Sequence, residues 1–354
     1  METILYPTGT GAERSAAVQA AARLLRAGEL VAIPTETVYG LAANALDPAA
    51  VETIFRVKGR PNDNPLIVHI ADLPALDEVV REVPESARRL AERFWPGPLT
   101  MILPRDPRIP DATTAGLDTV AVRMPSHPVA RAIIRASGLP IAAPSANLSG
   151  LPSPTTAAHC MRDLSGKVPA VVDGGACEFG VESTVITLAG ETPRLLRPGA
   201  VTLEQLRETL GEVEVDPAVT GRLAEGQAAA SPGMKYKHYS PKAEVTLVRG
   251  SAAAFRAYVN ALPGEGIYAM VFSGEGEGLA KPFFEYGAEG DHLTQARELF
   301  LLLRQLDDLG ARAVYVRTPA TDGVGLAVYN RLIRAAAFHF VELDGPAGRE
   351  DTNE

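Results

Sequence analysis

Apolar and polar positions alternate along this chain with two different periods, and the changes of period mark out its elements. Residues 12–27 repeat apolar positions at helical spacing and stop at Gly28, a residue suited to the left-handed turn after a helix. Residues 30–33 form a short apolar run, which predicts a buried strand. A second helix is predicted over 48–57, opened by Asp47-Pro48, and a strand over 66–70. The amphipathic repeat of 84–94 ends at Trp95-Pro96-Gly97-Pro98, where two prolines and a glycine cannot continue a helix. Strands are predicted over 99–103 and 119–124, and a helix over 127–136 that closes at Gly138. Further strands are predicted from Ile141, over 170–172 and over 183–188; Arg197-Pro198-Gly199 reads as a turn, and 203–210 as a helix.

The pattern fades over 211–232, which is polar and Ala/Gly-rich, as a linker would be. It is followed by Met234-Lys235-Tyr236-Lys237-His238-Tyr239-Ser240-Pro241-Lys242, which holds three lysines, two tyrosines, a histidine and no acid. That composition predicts a segment aimed at a ligand rather than a bare spacer. From residue 244 strands (245–248, 267–272, 313–316) alternate with helices (252–262, one capped by Asp291 and ending at Gly310, 326–337). Such alternation predicts a small three-layer α/β domain with a largely parallel sheet. The expected organisation is a domain over 1–210, a linker over 211–242, a second domain over 243–345 and a polar tail over 346–354.

Composition sharpens this picture in a few places. A length of 354 residues favours two cores over one. No apolar run reaches the ~20 residues of a membrane span, and Met1-Glu2-Thr3 opens no signal peptide, so a cytoplasmic protein is expected. The net charge of −9 opposes tight nonspecific binding to a nucleic-acid backbone. Cys160 and Cys177 cannot cage zinc by themselves; they read as a reduced pair, with a disulfide between them as the alternative.

The chemistry-bearing stretches lie where strands and helices end. Pro34-Thr35-Glu36-Thr37-Val38-Tyr39-Gly40-Leu41 follows the first apolar run. Arg56, Lys58 and Arg60 then occupy alternate positions on a Gly/Pro-punctuated turn before the strand that carries His69. Cations beside hydroxyl donors suit a polyanion such as a nucleotide phosphate, although basic residues at a helix end also serve the helix dipole and solvent. Pro144-Ser145-Ala146-Asn147-Leu148-Ser149-Gly150, with Thr155 and Thr156 behind it, reads as a ligand loop. No Walker phosphate loop, Gly-x-Gly-x-x-Gly turn, His-Glu-x-x-His or Gly-x-Ser-x-Gly occurs. Gly274, Gly276 and Gly278 alternate with glutamates that would repel phosphate, which predicts a mobile loop.

Together, residues 34–41, Lys58-Gly59-Arg60-Pro61, residues 144–150 and Glu182-Ser183-Thr184-Val185 resemble the YrdC-like domain of threonylcarbamoyl-AMP synthases. Pro232-Gly233-Met234 through His238-Tyr239-Ser240-Pro241, then Gly325-Leu326-Ala327 through Arg331-Leu332, resemble the linker and C-terminal domain of the long form. The resemblance implies a twisted, open, mixed sheet with helices, plus a smaller Rossmann-like α/β domain. It also implies a nucleotidyltransferase that joins L-threonine, bicarbonate and ATP into threonylcarbamoyl-AMP and diphosphate, with Mg2+ accompanying ATP. The product would pass to the machinery that threonylcarbamoylates tRNA adenosine next to the anticodon, without stable nucleic-acid binding by this chain.

Carried over residue by residue, the resemblance makes Lys58 and Arg60 catalytic. Arg60, Asn64, Thr119, Ser145, Asn147, Thr155, Arg197 and Tyr239 become candidates for ATP. Thr37, His69, Arg123, Ser145 and Ser183 become candidates for threonine. By the same resemblance the linker folds over the nucleotide as a lid, with Tyr239 reaching a phosphate and Lys235 and His238 nearby. Other readings stay open: Lys58 as a solvated helix-end lysine, Arg123 bound to a structural acid, His69 as a hydrogen-bonded core residue, and Tyr39 as packing or cavity wall. A carbamoyl-transferring hydrogenase maturation protein would need Cys-x-x-Cys zinc ligands that this chain lacks. A noncatalytic RNA-binding module fits poorly with an acidic pI of 5.3.

Overall fold

A computed structural model describes residues 1–221 and 239–343. They form two compact units, the first comprising 1–149 and 153–221, the second 150–152 and 239–343.

In the first unit, β1 (Ile4–Pro7) leads into α1 (Gly11–Arg26). Thr10 caps that helix by accepting from the backbone N–H of Glu13, whose carboxylate accepts from the N–H of Thr10 in return. The chain continues through β2 (Val31–Ile33), β3 (Gly40–Asn44), α2 (Pro48–Lys58), β4 (Ile67–His69) and α3 (Glu85–Phe94). Next come β5 (Leu99–Pro104), the single turn α4 (Asp111–Thr114), β6 (Thr119–Arg123), α5 (Pro128–Ser137) and β7 (Ile141–Ala142). The remainder is α6 (Ala157–Leu164), β8 (Ala170–Asp173), β9 (Thr184–Thr187), β10 (Arg194–Arg197), α7 (Leu203–Leu210) and β11 (Glu214–Val215). Asp47 caps α2 with Pro48 at its first position, and Gly59 ends it in the left-handed conformation at φ 62.

These strands make one eleven-stranded sheet in the order β1-β8-β2-β3-β7-β4-β6-β5-β9-β10-β11. Parallel pairs (β4 with β6, β5 with β9) and antiparallel pairs (β5 with β6, β9 with β10) mix, as expected of the family's open sheet. One side is covered by α1 and α5, whose Ala17, Ala21, Leu25, Val129 and Ile133 pack on Val31, Ile33 and Val172.

The sequence reading misses several short elements. Arg197 ends β10 instead of lying in a turn; a four-residue strand with arginine at both ends shows no apolar run, and pairing with β9 is what extends it. Strands β1 and β3 and helix α6 also escape the pattern, because each is short and its neighbours supply the partners. Residues 211–221, expected within the linker, add β11 and a 3-10 turn, Pro217–Val219, to this unit. The proposed lid residues Lys235 and His238, and the tail from 346, lie outside the described residues.

The second unit alternates β12 (Glu244–Arg249), α8 (Ala252–Ala261), β13 (Ile267–Val271), β14 (Phe283–Glu285), α9 (His292–Asp308), β15 (Ala313–Arg317), α10 (Gly325–Ala335) and β16 (Phe340–Glu342). All neighbours in its five-stranded sheet, ordered β14-β13-β15-β12-β16, run parallel. The glutamate-rich stretch after β13 is tied down, contrary to expectation: Arg317 donates through Nε and Nη2 to Glu275 at 2.8 and 3.0 Å. A buried guanidinium demands such a partner, so composition misjudged this loop.

Candidate active site

Sheet register assembles the first part of the site. His69 on β4 lies opposite Arg123 on β6, which lies opposite Thr100 on β5. Thr100 lies opposite Val185 on β9, and Val185 opposite Arg197 on β10. Directly opposed residues share a face, so four polar side chains cross five strands in one row, each strand about 4.8 Å from the next. Ser183 joins the row from the residue before β9: its hydroxyl is 2.8 Å from that of Thr100 and accepts from Arg197 Nη2 at 3.1 Å. Arg197 Nε donates to the Ser183 carbonyl at 3.0 Å. Two residues along the same face, Ile67, Ala121 and Ile102 form an apolar floor with Leu196 and Ala218. Polar groups above a dry floor interact more strongly than they would in water.

Gly199 allows the chain to fold tightly here. A Cβ on it would lie 2.3 Å from the Thr184 nitrogen, so no larger residue fits against residues 183–184.

Burial sets the protonation of this row. His69 is pushed down to about 3, first by desolvation and then by the neighbouring Arg123 charge. Its Nδ1 is 3.1 Å from the Ile67 carbonyl, and the Ile141 backbone is a second hydrogen-bond partner of the ring. Arg123 has a side chain 4 % exposed and contacts Glu36 at 2.7 Å. Burial pushes the Glu36 carboxyl up, but the Arg123 charge, together with hydrogen bonds from Arg123 and from the backbone N–H groups of Glu36 and Ser126, holds the group below its ordinary range. The arginine therefore does meet a buried acid, the alternative raised by the sequence.

The second part is built from turns. Lys58, the last residue of α2, is 3 % exposed, which removes the solvated reading. Its Nζ donates to the Ser145 carbonyl and, at 2.5 Å, to the Asn147 carbonyl. Charge-assisted hydrogen bonds of this kind contribute about 1.5–3 kcal/mol each and make a buried ammonium tolerable. Arg60, half-buried, donates to the carbonyls of Asn64 and Pro65 at 3.3 and 3.4 Å. Asn64 is 1 % exposed, and both polar atoms of its side chain lack a hydrogen-bond partner. Thr119 begins β6; the register pairing Ile67 with Ala121 carries it to the level of residue 65, about 13 Å along the strand from Arg123.

Backbone bonds interlace the loops between these parts. Leu41 N–H donates to the Pro144 carbonyl, Ala146 N–H to Tyr39, and Tyr39 N–H to Pro154, at 2.7–2.9 Å. Thr37 is fully buried with its hydroxyl 3.0 Å from that of Thr35. Thr155 receives Cys177 N–H at its carbonyl and donates its own N–H to His159 Nδ1. The Tyr39 hydroxyl donates to the Gly175 carbonyl and accepts from Gly174 N–H, so it anchors the fold. Cys160 and Cys177 are buried and form no disulfide with each other.

Twelve of the thirteen candidates thus lie in the first unit. Tyr239 belongs to the second, where it is buried at φ 63, stacks on Phe300 at 5.2 Å and lies under Arg331 at 5.8 Å. Glu36 and Thr100 were assigned no role from sequence. Glu36 stands inside the 34–41 stretch, and Thr100 is a lone hydroxyl in an apolar strand; sheet register sets Thr100 beside Arg123, and the meeting of loops brings Glu36 to it.

Comparison with known proteins follows this geometry. A family model described as "Telomere recombination", for Sua5, YciO and YrdC proteins, matches residues 23–199. One described as "Threonylcarbamoyl-AMP synthase, C-terminal domain" matches 201–337. Threonylcarbamoyl-AMP synthase of Pyrococcus abyssi is 47 % identical over 330 residues, covering 92 % of this chain and 96 % of that one. The Bacillus subtilis enzyme is 46 % identical over 320 residues, covering 89 % and 92 %. The crystal structure of P. abyssi Sua5 complexed with L-threonine superposes with a TM-score of 0.90 at 43 % identity, over 96 % of this chain and 99 % of that one. The chain belongs to the threonylcarbamoyl-AMP synthase family, in the form that carries both domains.

Proposed function

We propose that this enzyme forms threonylcarbamoyl-AMP and diphosphate from L-threonine, bicarbonate and ATP. The observation that supports the reading is that one unit holds both a polar row with Arg123 and a turn-built cradle with Lys58 and Arg60, within a chain alike over most of its length to named synthases. A carbamate oxygen must attack the α-phosphorus while diphosphate leaves, so catalysis is positioning and charge neutralisation. Arg123 offers a planar fork to the amino acid's carboxylate, and the uncharged His69 ring bonds its hydroxyl. Thr37 and Ser183 complete the threonine subsite, with Ser145 between the two ligands.

Lys58 and Arg60 neutralise phosphate oxygens, with Lys58 also holding the 145–147 loop in shape. Asn64, whose amide has no protein partner, turns to the nucleotide, joined by Thr119, Asn147, Thr155 and Arg197. Tyr239 is carried over as a phosphate contact on the resemblance alone. Magnesium would enter as a companion of the triphosphate, bridging no assigned protein ligand. The product goes to the enzymes that modify tRNA, and the location proposed for this step is the cytoplasm.

Incubation with ATP, threonine and 13C-bicarbonate tests the reaction. The expected result is a labelled threonylcarbamoyl-adenylate by mass spectrometry with matching diphosphate. Diphosphate without label in an adenylate would overturn the reading.

A further inference from the structure

Glu36 is a buried acid in contact with Arg123 of the row, and the proposed reaction as described gives it nothing to do. Its position is unusually fixed. The Glu36 carbonyl accepts from Phe179 N–H at 2.9 Å, and on either side the Thr35 hydroxyl is 3.0 Å from that of Thr37 and donates to the Val38 carbonyl at 2.6 Å. The carboxylate therefore stands on a backbone with little freedom to retreat.

The contact with Arg123 takes one side of the guanidinium. Glu36 Oε1 lies 2.7 Å from Arg123 Nη2, and the backbone N–H groups of Glu36 and Ser126 also hold the carboxylate. Among the described residues no hydrogen bond occupies Arg123 Nη1. The pair thus holds the guanidinium in place while Nη1 stays available to another oxygen. The remaining tether, Arg123 Nε to the Gly97 carbonyl, is a long 3.4 Å. Without Glu36, a side chain 4 % exposed would carry an uncompensated charge and one weak hydrogen bond.

We propose that Glu36 is a positioning residue of the threonine subsite: it balances and aims Arg123 without occupying the donors that receive the amino acid's carboxylate. This rests on the threonine reading given above. It predicts that Glu36 acts on threonine and not on ATP, because the cradle of Lys58, Arg60 and Asn64 is built from other loops.

The test measures threonine and ATP dependence of diphosphate release in Glu36→Gln and Glu36→Asp, with threonine binding by calorimetry. Glu36→Gln keeps the shape and loses the charge. It should raise KM for threonine about tenfold or more, leave KM for ATP within about twofold, and lower kcat at saturating threonine far less than kcat/KM. Glu36→Asp keeps the charge at a shorter reach and should restore part of the threonine affinity. A folded Glu36→Gln with wild-type threonine KM overturns the proposal, as does an equal rise in both KM values, which marks a merely structural role. Should Glu36→Gln fail to melt cooperatively, Glu36→Asp decides alone: a selective threonine defect supports the proposal and wild-type behaviour overturns it. The wild-type control separates the two levels, since diphosphate release independent of threonine would instead defeat the functional reading.

Discussion

The two parts of the site are built from different materials. The row of His69, Arg123, Thr100 and Arg197 sits on strands whose spacing and facing are set by backbone pairing. The cradle of Lys58, Arg60 and Asn64 sits on a helix end and the turn after it, where side-chain bonds to loop carbonyls do the holding. On the proposed reading the His69–Arg123 end of the row meets a small amino acid that demands fixed geometry, while Arg197 at its other end turns to the nucleotide. The cradle would then meet a flexible triphosphate, and its Asn64 amide has no protein partner. Strand register fixes the first set and turns hold the second.

The largest effect should come from the cradle. Lys58→Ala removes the ammonium that gathers the Ser145 and Asn147 carbonyls, and threonine-dependent diphosphate release should fall about 100-fold or more. A loss below about tenfold with an intact melting transition would break the division between row and cradle. Arg317→Ala in the second unit sharpens the division from outside. It strands Glu275, whose partner it is at 2.8 Å, and should cost about 3 kcal/mol in denaturant unfolding while threonine KM stays unchanged.

Asn64→Ala is a finer probe. Its amide makes no protein hydrogen bond, so removing it should not lower stability, whereas ATP KM should rise about tenfold. Lost stability with unchanged ATP KM would make Asn64 a structural residue. The smallest effect concerns His69. Its folded pKa of about 3 lies below the ordinary value of 6.5, so between those values the unfolded chain binds a proton that the folded chain refuses. Stability should therefore fall as pH drops below 6.5, by up to about 1.4 kcal/mol per unit from this group, and His69→Gln should flatten that slope. An unchanged slope in the variant would mean that His69 titrates normally.

Much of the cradle was legible in sequence because its residues are neighbours: Arg56, Lys58 and Arg60 announce themselves on one turn. The row was legible only as separate residues. His69, Arg123, Ser183 and Arg197 come from four stretches, and the pairing that aligns them is a property of sheet register, which no local pattern encodes. Arg197 shows the same limit, since β10 exists only because β9 pairs with it. Glu36 was visible as a letter, but its burial beside Arg123 depends on loops 35–41 and 175–183 meeting. The long, periodic helices α1, α2, α5 and α9 were readable throughout, because amphipathic spacing and caps are local.

The central claim is that one region receives an amino acid so that its neighbour can adenylylate it. Measuring diphosphate release at fixed ATP and bicarbonate while threonine is varied tests this most directly. A rate that is near zero without threonine and saturates with it is the predicted result; a rate indifferent to threonine would contradict the account.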